Sequence, residues 1–137
     1  MGAETLVDTG VLVALIDADE QHHAACVAAF RKARGPLVSN EAVLTECLHL
    51  LSDSLASQEA CLDYFLRGAI LLVPTALESL SRIKAVMRRY RSVPMDYADA
   101  TLVVLAELLG TGSILTLDRR GFVVYRWRER RPFHITP

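Results

Sequence analysis

Leu6-Val7-Asp8-Thr9-Gly10 is the stretch on which the reading of the fold turns. With Thr5 before it, a short apolar run of β-formers goes straight into an aspartate, a threonine and a glycine. That is the pattern of a buried strand that stops abruptly and turns. Ile114-Leu115-Thr116-Leu117-Asp118 repeats it near the other end of the chain, again with an aspartate directly after the apolar run.

Working outward, apolar runs at 5–7, 70–73 and 113–117 read as buried strands, with 37–38 a possible short fourth. Helical periodicity fills the intervals, over 10–16, 20–33, 40–52, 58–66, 76–90 and 97–109. Strands that alternate with helices and are apolar on both faces predict a parallel sheet covered on both sides, a three-layer α/β/α sandwich. Ligands of such sheets sit outside the carboxyl ends of the strands, so Asp8 and Asp118 should project from one edge. No repeat, low-complexity tract or Pro/Gly-rich linker divides the sequence, and residues 1–137 are expected to form one domain.

A chain of 137 residues, 52% hydrophobic and with a net charge of −1, can build an ordinary core and is neither disordered nor strongly basic. Its three cysteines, Cys26, Cys47 and Cys61, are odd in number, form no C-x-x-C pair and lie in apolar helical patterns. They read as reduced core residues of a cytoplasmic protein. No apolar stretch is long enough to cross a bilayer, the N-terminus lacks a signal-like segment, and Leu6 breaks the myristoylation pattern.

The balanced total hides an asymmetry. Residues 1–66 hold ten acids and three bases, a net −7, whereas residues 67–137 hold six acids and twelve bases, a net +6. Half of those twelve fall between Arg119 and Arg131. They form either a solvated terminal segment or a basic rim that grips a polyanion.

Asp8 and Asp118 each have a plain alternative role as a helix cap or turn residue. Glu46 lies in the helix 40–52, whose apolar arc is Val43, Leu44, Cys47, Leu48, Leu50 and Leu51. It falls about 40° beyond Leu50, at the border of the arc, where a partly desolvated carboxylate needs a cation or donor. Glu41 also borders the arc, but in the first turn an acid simply complements the helix dipole. In Pro94-Met95-Asp96-Tyr97-Ala98-Asp99-Ala100, Asp96 is a good N-cap and Asp99 stands where its capping-box partner would be. Capping explains Asp96 well and Asp99 less well, because the helix beyond Asp99 is apolar on most sides.

Four converging acids would raise one another's pKa values, and a bound divalent cation would relieve them. Oxygen ligands without thiolate or imidazole suit Mg²⁺ or Mn²⁺, whose chemistry with water is phosphodiester cleavage. Glu20-x-x-His23 and Glu46-x-x-His49 have the spacing of di-iron helix bundles, but the strand-like runs and the breaks at Gly35-Pro36, Pro74 and Pro94 oppose a bundle. His22, His23, His49 and His134 read as surface or structural residues. The glycine-rich nucleotide-binding signatures are missing.

The order of these features, a strand-terminal Asp8-Thr9, a helical Glu46, Ala98-Asp99-Ala100 opening an apolar helix and Thr116-Leu117-Asp118, resembles the PIN-domain ribonucleases. Within them it is similar to the VapC-like toxins of bacterial and archaeal type II toxin–antitoxin pairs, and the resemblance spans essentially the whole chain. It implies an α/β/α sandwich, Mg²⁺-dependent endoribonuclease activity, homodimers, and a VapB-like antitoxin that inserts a segment beside the active site. Asp8, Glu46, Asp99 and Asp118 match the family's acidic quartet, with Thr9 and Thr116 as polar supports and Asp96 able to assist. Many relatives carry a further acid after the last aspartate, whereas this chain has Arg119 and Arg120, which should flank the site where an RNA backbone approaches. The alternative function is a catalytically silent module that binds RNA or an antitoxin. With only nine aromatics, mostly core-like, the chain offers no stacking platform of the single-strand-binding kind.

Overall fold

The computed structural model describes residues 2–137. Its strands are β1 (Thr5–Val7), β2 (Leu37–Ser39), β3 (Leu71–Leu72), β4 (Ser113–Leu115), β5 (Arg126–Trp127), β6 (Arg131–Pro132) and β7 (His134–Thr136). Its helices are α1 (Thr9–Ile16), α2 (His23–Lys32), α3 (Glu41–Leu50), α4 (Leu55–Leu66), α5 (Leu80–Arg89), α6 (Tyr97–Leu109) and α7 (Arg119–Phe122), with a 3₁₀ turn at Leu77–Ser79.

The central sheet runs β3-β2-β1-β4-β7, every neighbouring pair parallel, with helices on both sides. Leu6, Val7, Ile114 and Leu115 are buried, as residues of central parallel strands must be. The order puts β1 beside β4, so the carboxyl ends that carry Asp8 and Asp118 are neighbours. Asp8 extends the ladder by donating its N–H to Leu115 O at 2.9 Å.

Helix α6 is buried from Ala98 to Ala106, and its alanines let neighbouring elements approach closely. Gly110 ends it in the left-handed conformation, φ 70°, which favours glycine. The start of α3 is tied to α6 through Asn40: its Oδ1 accepts from Val43 N–H at 3.0 Å, and its Nδ2 donates to Thr101 Oγ1 at 2.9 Å. This buried bond fixes where Glu46 lies relative to Asp99.

Several expectations are corrected. The run 70–73 shortens to Leu71–Leu72 at the sheet edge, where both leucines are exposed and Ile70 alone is buried. The helix expected over 20–33 begins at His23, and 76–90 splits into the 3₁₀ turn and α5. Helix α4 begins earlier than expected, at Leu55, capped by Ser54. The C-terminal segment is not one solvated tail: it forms α7, the antiparallel β5–β6 hairpin and the edge strand β7. Cys26, Cys47 and Cys61 are buried free thiols. Among the described residues no helix is long and apolar enough to cross a membrane.

Candidate active site

Asp8 follows β1 and caps α1. Its Oδ1 accepts from Thr9 N–H at 2.8 Å, and its Oδ2 accepts from the Thr116 hydroxyl at 2.7 Å. Thr116 Oγ1 in turn accepts from Asp118 N–H at 3.0 Å, so one threonine spans the ends of β1 and β4. Asp118 caps α7 through Oδ1, which accepts from Gly121 N–H at 3.0 Å. Glu46 reaches across from α3 and accepts the Thr9 hydroxyl at 2.5 Å on Oε1. This is the donor that its half-buried position required.

Asp99 stands in the first turn of α6 in a reciprocal capping box. Asp96 Oδ1 accepts from Asp99 N–H at 2.8 Å, and Asp99 Oδ2 accepts from Asp96 N–H at 3.1 Å. The Tyr125 hydroxyl also donates to Asp99 Oδ2, at 3.5 Å. Capping and a site role are therefore not alternatives. Each capping carboxylate uses one oxygen on its own helix, and among the described residues Glu46 Oε2, Asp99 Oδ1 and Asp118 Oδ2 have no hydrogen-bond partner within the chain.

The electrostatics are those of crowded, buried acids. Burial pushes the Asp8 carboxyl up to about 6, against the hydrogen bonds from Thr116 and Thr9, and the charges of Glu46 and Asp118 add to the rise. Burial likewise pushes Asp99 up to about 8, opposed by the Asp96 N–H and reinforced by the charges of Asp96, Asp8 and Asp118. The Tyr125 hydroxyl is raised by burial and then by Asp99 and Asp118. The charges of Glu46 and Asp118 thus bear on Asp8, and those of Asp8 and Asp118 on Asp99, from four separate segments. Among the described residues no three of them are gathered tightly enough to hold an ion as they stand. The all-oxygen set nevertheless fits a hard divalent cation, because the ionised forms it needs are the forms that burial and mutual repulsion leave unsatisfied.

Two neighbours of the site went unread in the sequence. A Cβ at Gly121 would lie 2.7 Å from both Asp118 Oδ2 and the Tyr125 hydroxyl, so the turn that brings these groups together requires glycine. Tyr125 packs edge-on against Tyr90 and Phe122, with ring centroids 5.1 and 5.0 Å away. A lone tyrosine among arginines carries no periodic signal; a glycine three residues after an aspartate was the better clue.

Arg119 and Arg120 are exposed on α7, and Arg119 donates to Pro137 O at 2.7 Å. Arg126 is engaged with the carbonyls of Val123, Val124 and Tyr125. Arg128 hydrogen-bonds Glu107, which also makes a two-pronged ion pair with Arg82. Much of the basic rim thus holds the C-terminal segment together. Beside the site a groove of about 470 Å³ opens between α3 and the start of α6, reaching from Glu46 to His49, Asp96 and Tyr97. Glu41, at its edge, accepts from Thr75 N–H at 2.6 Å and anchors the chain after β3.

The PIN-domain family model matches residues 5–127, from β1 through β5. The chain belongs to the PIN-domain family. Its sequence is 31% identical over 123 residues to Ribonuclease VapC26 of Mycobacterium tuberculosis, covering 88% of this chain and 91% of that protein. The fold superposes with a TM-score of 0.78 on M. tuberculosis VapC20, described as a Sarcin–Ricin loop cleaving toxin, at 16% identity over 84% of this chain and 90% of that one. It also matches VapBC2 of Rickettsia felis, solved on a DNA fragment from its promoter, with a TM-score of 0.67 and 11% identity over 98% of this chain and 99% of that one. This PIN domain therefore has VapC proteins among its relatives in both sequence and fold.

Proposed function

We propose that this PIN domain is a Mg²⁺- or Mn²⁺-dependent endoribonuclease, the toxin of a type II toxin–antitoxin pair acting in the cytoplasm. The observation that carries the reading is that Asp8 and Asp118, at the carboxyl ends of β1 and β4, face Glu46 of α3 and Asp99 of α6, each carboxylate held by a hydrogen bond and all but Asp8 keeping one oxygen without a partner among the described residues. Those four residues would hold the ion. When bound, it supplies the positive charge that activates a water and stabilises the leaving oxygen of a phosphodiester. The chain supplies the rest: Thr116 fixes Asp8 and the turn to Asp118, Thr9 fixes Glu46, and the capping box fixes Asp99. No protein nucleophile is needed. Arg119 and Arg120 border the acids where an RNA backbone would approach.

Its partners on this reading are RNA, a small VapB-like antitoxin, and a second copy of the chain. Exposed leucines support the homodimer: Leu62 and Leu66 on α4, and Leu71 and Leu72 on the edge strand β3, are apolar side chains open to solvent that a second copy would cover. Analytical ultracentrifugation of the purified protein checks it.

The decisive experiment is cleavage of RNA by the purified protein with Mg²⁺ or Mn²⁺, beside Asp8→Asn and Asp99→Asn. Cutting should vanish in both variants and in excess EDTA while the fold persists by circular dichroism. Cutting that survives any of the three rules the mechanism out. Expression with and without the small open reading frame adjacent to the gene tests the toxin role, through growth arrest and co-purification.

A further inference from the structure

We propose that the opposite, amino-terminal end of the same sheet carries a second binding pocket, built for a phosphoryl group. Leu6 pairs with Ile114 and Ser113 with His134, so Thr5, Ser113 and His134 lie side by side in one row across β1, β4 and β7. Laterally paired residues face the same side of a sheet. This row, with Thr136 two residues further along β7, lines a cavity of about 250 Å³ whose remaining walls are Lys32, Ala33 and Arg34 at the end of α2. Three cationic or protonatable side chains and three hydroxyl residues therefore meet, and no carboxylate lines the space. Among the described residues the side chains of Lys32, Arg34 and His134 form no ion pair and no hydrogen bond.

A bland account is available, since Lys32 complements the negative end of the α2 dipole. It does not explain why cations from two elements converge on one cavity free of acid, nor why the backbone carrying Arg34 is fixed. Gly35 takes φ +71°, and a Cβ there would collide with Ala3 O. Thr5 clamps the same segment twice, its N–H donating to Pro36 O at 2.9 Å and its hydroxyl to Arg34 O at 3.2 Å.

A phosphoryl group answers this arrangement: it has several strong acceptor oxygens and close to two negative charges when terminal. A second cavity of about 300 Å³ shares Lys32, Ala33 and Thr136, and gives the rest of a phosphorylated molecule room along α2. The pocket stands at the other end of β1 from Asp8, about 10 Å along a three-residue strand. The inference is independent of the ribonuclease reading.

Calorimetric titration in excess EDTA, where no ion can bridge phosphate to the carboxylates, tests it with three probes: inorganic phosphate, and a short oligoribonucleotide with a 5′-phosphate or a 5′-hydroxyl. Saturable one-to-one binding of a phosphate-bearing probe is expected. It should weaken at least tenfold in Lys32→Met/Arg34→Met and stay unchanged in Asp8→Asn. Preference for the 5′-phosphorylated RNA over free phosphate identifies an RNA end as the source; equal affinity identifies a small phosphate. Absence of saturable binding, or equal binding by the double variant, overturns the proposal. Broadening of the phosphate ³¹P signal by His134→Ala compared with the wild type supplies the readout if the double variant fails to fold: undiminished broadening also overturns it.

Discussion

The two ends of β1 and β4 are about 10 Å apart and chemically opposite. At the carboxyl ends stand Asp8, Thr116 and Asp118; at the amino ends stand Thr5 and Ser113, faced by Lys32 and Arg34. Parallel βα topology sorts the charges. Helix amino termini, with their partial positive charge, follow strand carboxyl ends, and α1 and α7 begin there on Asp8 and Asp118. Helix carboxyl termini return to the strand amino ends, and α2 arrives there with Arg31 and Lys32 in its last turn. The ends also differ in cost: Asp8 is buried, Asp118 half-buried, and both are hydrogen-bonded, whereas the cations are exposed and engage no side chain. Only the acidic end is pre-organised at the expense of its own ionisation.

The largest effect should come from removing charge at the acidic end. Asp8→Asn or Asp99→Asn should lower metal-dependent RNA cleavage by at least about a thousandfold, on the scale of losing a metal ligand that acts in the transition state. Each should raise the thermal midpoint of the metal-free protein at pH 8, since a neutral amide escapes the desolvation that a carboxylate suffers there. A fall in that midpoint for both would show that the acids do not oppose folding, and the contrast between the ends would fail. Next in size is Thr116→Val, which leaves all four acids but unties Asp8 from the β4 turn. A loss of about ten- to a hundredfold in Mn²⁺ affinity is expected, as for other groups that orient ligands, measured by calorimetry.

The pH dependence follows from the same two groups. Burial pushes the Asp8 and Asp99 carboxyls up to about 6 and about 8 in the folded chain, from 3.8 when fully solvated, so between about 4 and 8 the folded state holds more protons than the unfolded one. Their contribution to stability is full below that window and is lost as pH rises through it. Metal-free melts should therefore decline from pH 5 to pH 8.5, less steeply in Asp8→Asn. Mn²⁺ affinity should rise over the same range, because the ion needs the ionised forms. An affinity that is flat with pH would mean that these carboxylates are not its ligands.

What the sequence disclosed follows the same division. β1 and β4 were legible because central parallel strands are buried on both faces and leave a continuous apolar signature. Asp8 and Asp118 came with them, and Glu46 showed as a charge at an apolar border. β7 was not legible: His134-Ile135-Thr136 is a partly exposed edge strand of three residues, and the β5–β6 hairpin is made of arginines around Trp127. Arg128 and Glu129 take positive φ without glycine, held by Glu107, Arg82 and Arg89, so no turn signal marked the place. Without β7 the row Thr5, Ser113 and His134 could not be seen. Asp99 was ambiguous because it does two things, and only side-chain geometry separates the oxygen that caps from the one that is free.

The smallest predicted effect lies at the basic end. Lys32→Met/Arg34→Met should shift metal-free stability by no more than about 0.5 kcal/mol, the ordinary range for exposed positions. Both side chains are solvated and unpaired within the chain, so their removal breaks no bond and leaves no charge buried. Relief of their mutual repulsion and loss of Lys32 from the negative end of α2 act in opposite directions, each on the scale of a few tenths of a kcal/mol. Chemical denaturation of the double variant beside Asp8→Asn at pH 8 makes the comparison directly. A large destabilisation in the double variant would show that the basic end, too, holds the fold together, and the two ends would differ only in the sign of their charge.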